Sequence, residues 1–331
     1  TIVKTHFHFK AIPWKDVLIS GWGIAGEGMG KISKSRGGGP MPPMEMIEQY
    51  SADAVRYWAA STGTGKDAVI SEEKIQMGAK LVTKLWNVAR FSERFLEGYM
   101  PPEAGDLADR FTPADRWILA RTQQLTRRVT ALFQEYEYAA AKSEEETFFW
   151  GDLADNYLEM CKLRLYAEDH PQRDGARFAL YHALLTALKL LAPLLPYVTE
   201  AIYQGLFVSQ GLFVSQGLFA ANEGRVSIHN ASWPNPEPAF EDEAAISLGE
   251  MLVEIATAVR RYKSENNLSL GSEISRVQLG TVDAGLQAGL QAASIDLAGI
   301  TRARQIEFSQ QIDPSLKLLE PAGDIQLAIL P

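Results

Sequence analysis

Lys31, Lys34 and Arg36, with Ser33 and Ser35 among them, occupy one short stretch bracketed by Gly26, Gly28 and Gly30 before it and Gly37, Gly38 and Gly39 after it. Three cations and two hydroxyl donors suit a polyphosphate whose charge shifts during reaction. Glycine lifts the steric limits on φ, so such a loop can change shape and bring its backbone close to a ligand. A solvated basic loop has the same composition, and the surroundings must separate the two.

The other candidate chemistries are weaker. Gly21-Trp22-Gly23-Ile24-Ala25-Gly26 matches the G-x-G-x-x-G dinucleotide pattern letter for letter. That pattern requires a helix to begin inside it, and Gly28, Gly30, Gly37–Gly39 and Pro40 forbid one across the next turns. Neither Gly30-Lys31 nor Gly65-Lys66 completes a Walker A loop, because Ile32 and Asp67 stand where a hydroxyl residue is required. His6 and His8 need a strand and further ligands to close a metal site. None lies near in sequence, so they are expected to be structural and no metal site is expected. Cys161, the single cysteine, lies in a helical pattern between Met160 and Lys162, where packing is expected rather than nucleophile chemistry.

The 331 residues carry a formal charge of −9, 46% hydrophobic and 22% charged residues, as in a water-soluble globular chain with two or three domains. No apolar run reaches membrane-spanning length and no signal segment opens the chain, so a cytoplasmic protein is expected. A lone cysteine fits a reducing compartment. The net charge argues against a generic nucleic-acid coat, but the charge is uneven. Residues 1–40 hold Lys4, Lys10, Lys15, Lys31, Lys34 and Arg36 against Asp16 and Glu27; residues 110–128 hold Arg110, Arg116, Arg121, Arg127 and Arg128 against Asp115. A local basic footprint can still hold a phosphate backbone.

The elements that would position these residues can be read in order. The opening TIVKTHFHFK reads as the tail of an element already under way, so the chain is expected to be the C-terminal portion of something longer. DVLIS, 16–20, is expected to be a buried strand. Residues 44–62 have helical spacing, with Ile47, Tyr50, Ala54, Tyr57 and Trp58 on one face. Ser71 should cap a long helix reaching Gly98, with Glu72 and Glu73 at its positive end. Thr112-Pro113-Ala114-Asp115 carries Pro at N1 and a capping-box acid at N3. Further helices are predicted over 138–166, 174–191 and from Tyr197 to Gln204, with Pro193 and Pro196 breaking the pattern between the last two. Long amphipathic helices with short joints make a bundle. QGLFVS-QGLFVS-QGLFA, 204–220, is expected to be an insertion in a surface loop. After it, a helix near 241–266, strand-like ISRVQLG, an Ala/Gly/Leu/Gln helix, IEF and DIQLAIL suggest a small α/β appendage.

Lys31-Ile32-Ser33-Lys34-Ser35 resembles the Lys-Met-Ser-Lys-Ser signature of class I aminoacyl-tRNA synthetases, with Ile in place of Met. The likeness continues in register. YSADAVRYWAAST (50–62) is similar to the family segment after that loop, with Ser51 where the family has glycine. DRWILAR (115–121), FFWGDLADNYLEMCKLRL (148–165), LLAPLLPYVTEAIY (190–203) and SIHNASWP (227–234) resemble successive blocks of the anticodon-binding bundle. TKLWNVARF (83–91) is similar to the Asn-Lys-Leu-Trp-Asn block of the valyl branch. An isoleucyl enzyme or a non-catalytic tRNA-binding module are the alternatives.

The resemblance implies a mainly α chain in three parts. Residues 1–70 would end a Rossmann-type catalytic domain, 71–235 would form the anticodon-binding bundle, and 236–331 a small α/β domain. It implies ATP as substrate, with Mg²⁺, and valine tRNA and valine as partners of a monomer. Lys34 would stabilise charge on the departing pyrophosphate and Lys31 would support it, both being catalytic. Lys31, Ser33, Lys34 and Ser35 would contact ATP. The family's His-Ile-Gly-His motif is not among these residues, and Arg36-Gly37-Gly38 replaces its commoner Lys/Leu-Gly-Asn.

Overall fold

The computed structural model describes residues 1–25, 32, 42–208 and 227–330. Lys31, Ser33, Lys34 and Ser35 therefore lie outside the described residues, as do positions 209–220 of the hexapeptide tandem. The described part is mostly helical.

Helix α1, Ile2–Phe9, buries none of its residues. His6 and His8, expected to be structural, are exposed on it. Residues two apart on a helix also point to different faces. DVLIS is not a strand either: residues 16–20 belong to no regular element and are exposed, with Val17, Leu18 and Ile19 facing solvent. The pairing begins later, where β1 (Gly23–Ile24) lies parallel to β2 (Ala68–Val69) in register Gly23↔Ala68.

The predicted single helix over 44–62 is two, α2 (Pro43–Tyr50) and α3 (Ala52–Ala60). Ser51 breaks it at φ 92°, ψ 155°, a conformation that glycine adopts freely and other residues rarely. Its hydroxyl then caps α3, accepting from the Ala54 N–H at 3.3 Å. The positive φ at Ser51 thus explains the kink between α2 and α3.

α4 (Glu72–Leu96) is capped by Ser71 as predicted, and Gly98 follows at φ 65°. α5 (Pro113–Gln134) opens on the full capping box between Thr112 and Asp115. The predicted 138–166 helix is one continuous rod: α6 (Tyr138–Thr147), a π-helical stretch over Phe148–Tyr157, and α7 (Leu158–Tyr166). α8 (Arg173–Leu191) and α9 (Pro196–Tyr203) follow, split by the two prolines. The first hexapeptide copy is no surface loop. Gln204–Val208 continues α9 as a π turn and buries Leu206 and Phe207 in the core. Its aromatic and leucine simply meet the bundle, Phe207 packing against Tyr181 and Tyr203.

The last part holds α10 (Glu243–Glu265), β3 (Ile274–Gly280), α11 (Ala284–Ala292), α12 (Ser294–Thr301), β4 (Ala303–Ser309), β5 (Lys317–Leu318) and β6 (Gln326–Leu330). The sheet order is β4-β3-β6-β5, with β3 and β4 parallel and the other neighbours antiparallel. α10 packs on α5 so closely that a Cβ on Gly249 would lie 2.0 Å from the Trp117 ring. The main hydrophobic cluster is continuous from Tyr57 through the bundle to Ile329.

A buried ion network fixes the same join. Arg164 on α7 donates to both Asp115 oxygens, at 2.7 and 2.9 Å, and to Asp296 on α12 at 2.9 Å. Tyr157 donates to Asp115 at 2.7 Å. Buried charges survive only when paired and hydrogen-bonded in this way. Cys161 is buried beside them, and burial pushes its thiol up, which suits the packing role expected of it.

Candidate functional site

The lysine loop leaves the described structure after Ala25 and touches it again at Ile32, whose N–H donates to the Gly23 carbonyl at 3.1 Å. The chain re-enters at Pro42, just before α2. The loop is therefore rooted on the β1–β2 pair. That root is dense. Gly65 donates to the Ile19 carbonyl at 3.1 Å, Ala68 to Trp22 at 2.7 Å and Ile70 to Ile24 at 3.0 Å. The Trp22 N–H donates to Asp67 Oδ1 at 2.7 Å. Gly21 lies so close to Lys66 that a Cβ there would come within 2.3 Å of its carbonyl oxygen. The Trp58 indole N–H donates to the Val69 carbonyl at 2.9 Å, tying β2 to α3. Among the described residues no helix starts between Gly21 and Ala25, so the dinucleotide reading fails on structure as it did on sequence.

α3 joins this root to the bundle. Asp53 accepts from the Val198 and Tyr197 N–H groups, at 2.6 and 3.3 Å, at the start of α9. Arg56 donates to the Leu194 and Pro193 carbonyls, at 3.1 and 2.8 Å, just past α8. An acid thus meets a helix N-terminus and a base meets the carbonyls beyond a C-terminus, each the favourable sign. Two of the family-like blocks, YSADAVRYW and LLAPLLPYVTEAIY, are in direct contact through these four bonds.

The arginines of 110–128 do not form the free basic footprint that sequence suggested. Arg110 pairs with Asp174 at 2.9 Å, Arg121 with Asp152 at 3.0 Å and Arg128 with Glu144 at 3.5 Å; Arg127 pairs with Glu241. Arg116 donates to the Ala108 carbonyl at 2.9 Å. Their acids come from 144–174 and 241, too far along the chain for a local charge count to reveal.

Sequence reading overlooked a different surface. Trp86 on α4 is 44% exposed, and it lines, with Ala89, Arg90 and Glu93, a cavity of about 350 Å³ closed on the other side by Ala201, Ile202, Gly205 and Leu206. An exposed indole beside a cation offers a stacking face and a phosphate partner together. The available signal was Trp86 falling off the apolar face of α4. A second cavity, about 450 Å³, lies between α5, α8 and the 232–239 stretch. Glu237 lines it, and burial pushes its carboxyl up to about 7.

Among the described residues no group of three or more His, Cys, Asp or Glu could hold a metal ion. No helix among them is long and apolar enough to cross a membrane.

Two family models match the chain. Residues 1–71 match that described as tRNA synthetases class I (I, L, M and V). Residues 115–279 match the anticodon-binding domain of tRNA ligase. The valine–tRNA ligase of Wolbachia sp. subsp. Brugia malayi is 33% identical over 96% of this chain and 35% of its own length. That of Methanopyrus kandleri is 36% identical over 93% and 32%. That of Thermococcus kodakarensis is 34% identical over 97% and 35%. The chain thus spans about a third of the length of the curated relatives it matches. The leucyl enzyme of Agrobacterium radiobacter K84, solved in a ternary complex, aligns with 67% of this chain and 24% of that one at TM-score 0.48 and 18% identity, which adds nothing to the sequence match. With the lysine-loop segment and the helical bundle each falling under its own family model, the chain belongs to the class I aminoacyl-tRNA synthetase family, and through both segments it is similar to valine–tRNA ligases.

Proposed function

We propose that this chain supplies two parts of a valine–tRNA ligase: the lysine loop that meets ATP and the helical bundle that holds the anticodon arm of valine tRNA. Residues 1–70 end the nucleotide-binding domain, 71–235 form the bundle and 236–331 the C-terminal α/β unit. Lys34 faces the negative charge that grows on the pyrophosphate as valine attacks the α-phosphate of ATP, and Lys31 supports it. The Ser33 and Ser35 hydroxyls donate to phosphate oxygens. Mg²⁺ arrives with ATP. The valyl group then passes from its adenylate to the tRNA 3′ end. The working protein is a cytoplasmic monomer.

One observation carries this reading. The root of the lysine loop and the bundle are locked together through α3, so the signature loop and the tRNA-binding fold belong to one machine. On the bundle, Trp86 and Arg90 are the side chains best disposed to meet an unstacked base and its phosphate.

A filter-binding titration with valine and isoleucine tRNAs at two salt concentrations tests it. Residues 1–331 should bind valine tRNA, more weakly as salt rises, because phosphate contacts release counterions. Preference for the valine anticodon should survive, since base contacts carry it. Binding blind to the anticodon, or none, refutes the recognition role. Adenylate formation by these residues alone is not expected, because the His-Ile-Gly-His half of the site is not in this sequence.

A further inference from the structure

We propose that Asp67 is a positioning residue for the lysine loop: its carboxylate, bound to the Trp22 N–H, holds the limb from which the loop departs. The inference rests on the reading that Lys31 and Lys34 meet ATP. Gly65-Lys66-Asp67 fails as a phosphate loop, yet the structure puts it to a different use.

The limb running from Ile19 to Ile24 is fixed along residues 65–70 by a ladder of bonds, and most of them are backbone to backbone. The bond at Trp22 is different. Its acceptor is the Asp67 side chain, 2.7 Å from the Trp22 nitrogen. It falls one residue before β1, and β1 pairs with β2 over only two residues. So short a pair is marginal without added support. A bond from N–H to carboxylate is also stronger than one between neutral groups.

Asp67 itself stands on a fixed base. The turn before it is tied to the bundle by Thr64, whose hydroxyl donates to the Tyr136 carbonyl at 3.1 Å in the turn between α5 and α6. Tyr136 in turn donates to Asp16, at 3.3 Å, on the segment that leads into the limb. Bundle, turn, Asp67, limb and loop root thus form one chain of contacts. On the incoming side the root closes through Ile32 on Gly23. In sequence, Lys31 precedes Ile32 directly and Lys34 follows two residues later, so both lysines are covalently close to this root. A displacement of about 1 Å at reacting groups can cost a hundredfold in rate.

The test uses a complete synthetase carrying this sequence, with ATP–pyrophosphate exchange measured per titrated active site. Asp67→Ala should lower kcat at least about tenfold while KM for valine stays unchanged. Asp67→Asn, which keeps the Oδ1 acceptor, should recover most of that loss. A purely structural role would cut the number of active sites without changing kcat per site, and that result overturns the proposal. Should Asp67→Ala give no soluble protein, Asp67→Glu keeps the charge but moves the acceptor by one methylene. It must then show the same kcat loss, and a wild-type kcat overturns the proposal. Lys34→Ala is measured alongside. If it leaves exchange intact, the ATP reading itself falls; if it abolishes exchange while Asp67→Ala matches wild type, only the positioning role falls.

Discussion

Asp53 caps a helix 145 residues further along the chain, its Oδ2 accepting from the Val198 N–H at 2.6 Å. The same carboxylate accepts from Tyr197, and Arg56 one turn on holds the carbonyls of Pro193 and Leu194. Burial pushes the Asp53 carboxyl up, while the two N–H bonds and Arg56 pull it the other way. Asp53→Ala leaves two N–H groups at the α9 start without an acceptor. It is expected to cost about 1–3 kcal/mol of stability. Denaturant unfolding measures this, and a change below about 0.5 kcal/mol would show that water replaces the cap.

Ser51 carries the opposite load. At φ 92° it sits where glycine is at ease, and its only evident compensation is the 3.3 Å bond to the Ala54 N–H. Such backbone strain costs on the order of 1–3 kcal/mol. A glycine cap loses only a few tenths of a kcal/mol against serine, though glycine also adds unfolded-chain entropy. Ser51→Gly should therefore raise the thermal midpoint slightly, and Ser51→Ala, which keeps the strain and loses the cap, should lower it. The two midpoints falling in the reverse order would place the strain elsewhere.

What could be read from sequence here divides by distance along the chain. The Ser71 cap, the Thr112–Asp115 box and the Pro193/Pro196 break act within one turn, so their residues announce them. The lysine signature is a contiguous five-residue pattern and was legible for the same reason. The Asp53–Val198 cap, the Asp67–Trp22 tether and the Arg164–Asp296 pair join residues tens to hundreds of positions apart, and no local pattern marks them. Charge counting misled at 110–128 because it could not see acids arriving from other helices. Apolar runs misled twice. DVLIS has no covering surface among the described residues, while the first GLFV, whose composition predicts a loop, buries Leu206 and Phe207 in the core.

Glu237 gives the pH test. Burial pushes its carboxyl from the usual range up to about 7, so the folded state holds a proton that the unfolded chain gives up near 4.5. Its contribution to stability is fully present below about 4.5 and is lost as pH rises through about 7. Glu237→Gln does not titrate. The stability of this variant relative to wild type should therefore rise between pH 4.5 and 7 and level off above. Discounted for partial exposure, the rise is on the order of 1–2 kcal/mol. Parallel unfolding curves across this range would show that the carboxyl is solvated.

The hexapeptide tandem can be dissected by comparing two changes. Phe207, in the first copy, is fully buried against Tyr181 and Tyr203. Phe207→Ala is expected to cost about 3–5 kcal/mol. Deleting Gly211–Gln216 leaves that copy and every family-like block untouched, and should change stability by less than about 1 kcal/mol. Equal losses from the two changes would show that the later copies also belong to the packed core.

The arginine pairs make a prediction about salt. Each phosphate neutralised by a cation adds roughly 0.7–0.9 to the slope of log affinity against log salt. A cation contributes that much only if binding tRNA gives it a partner it lacked. Arg127 already has Glu241 and Arg128 has Glu144, so meeting a phosphate would mean breaking an existing pair. Arg90 lies on the exposed side of α4 beside Trp86, with no ion-pair partner among the described residues. Arg90→Ala should therefore reduce the slope for valine tRNA by nearly one unit and weaken binding at all salt concentrations. Arg127→Ala and Arg128→Ala should leave the slope unchanged. Filter binding across four or so salt concentrations reads both quantities at once. A slope that falls with Arg127 or Arg128, and not with Arg90, would move the tRNA path from the α4–α9 groove to the α5 face.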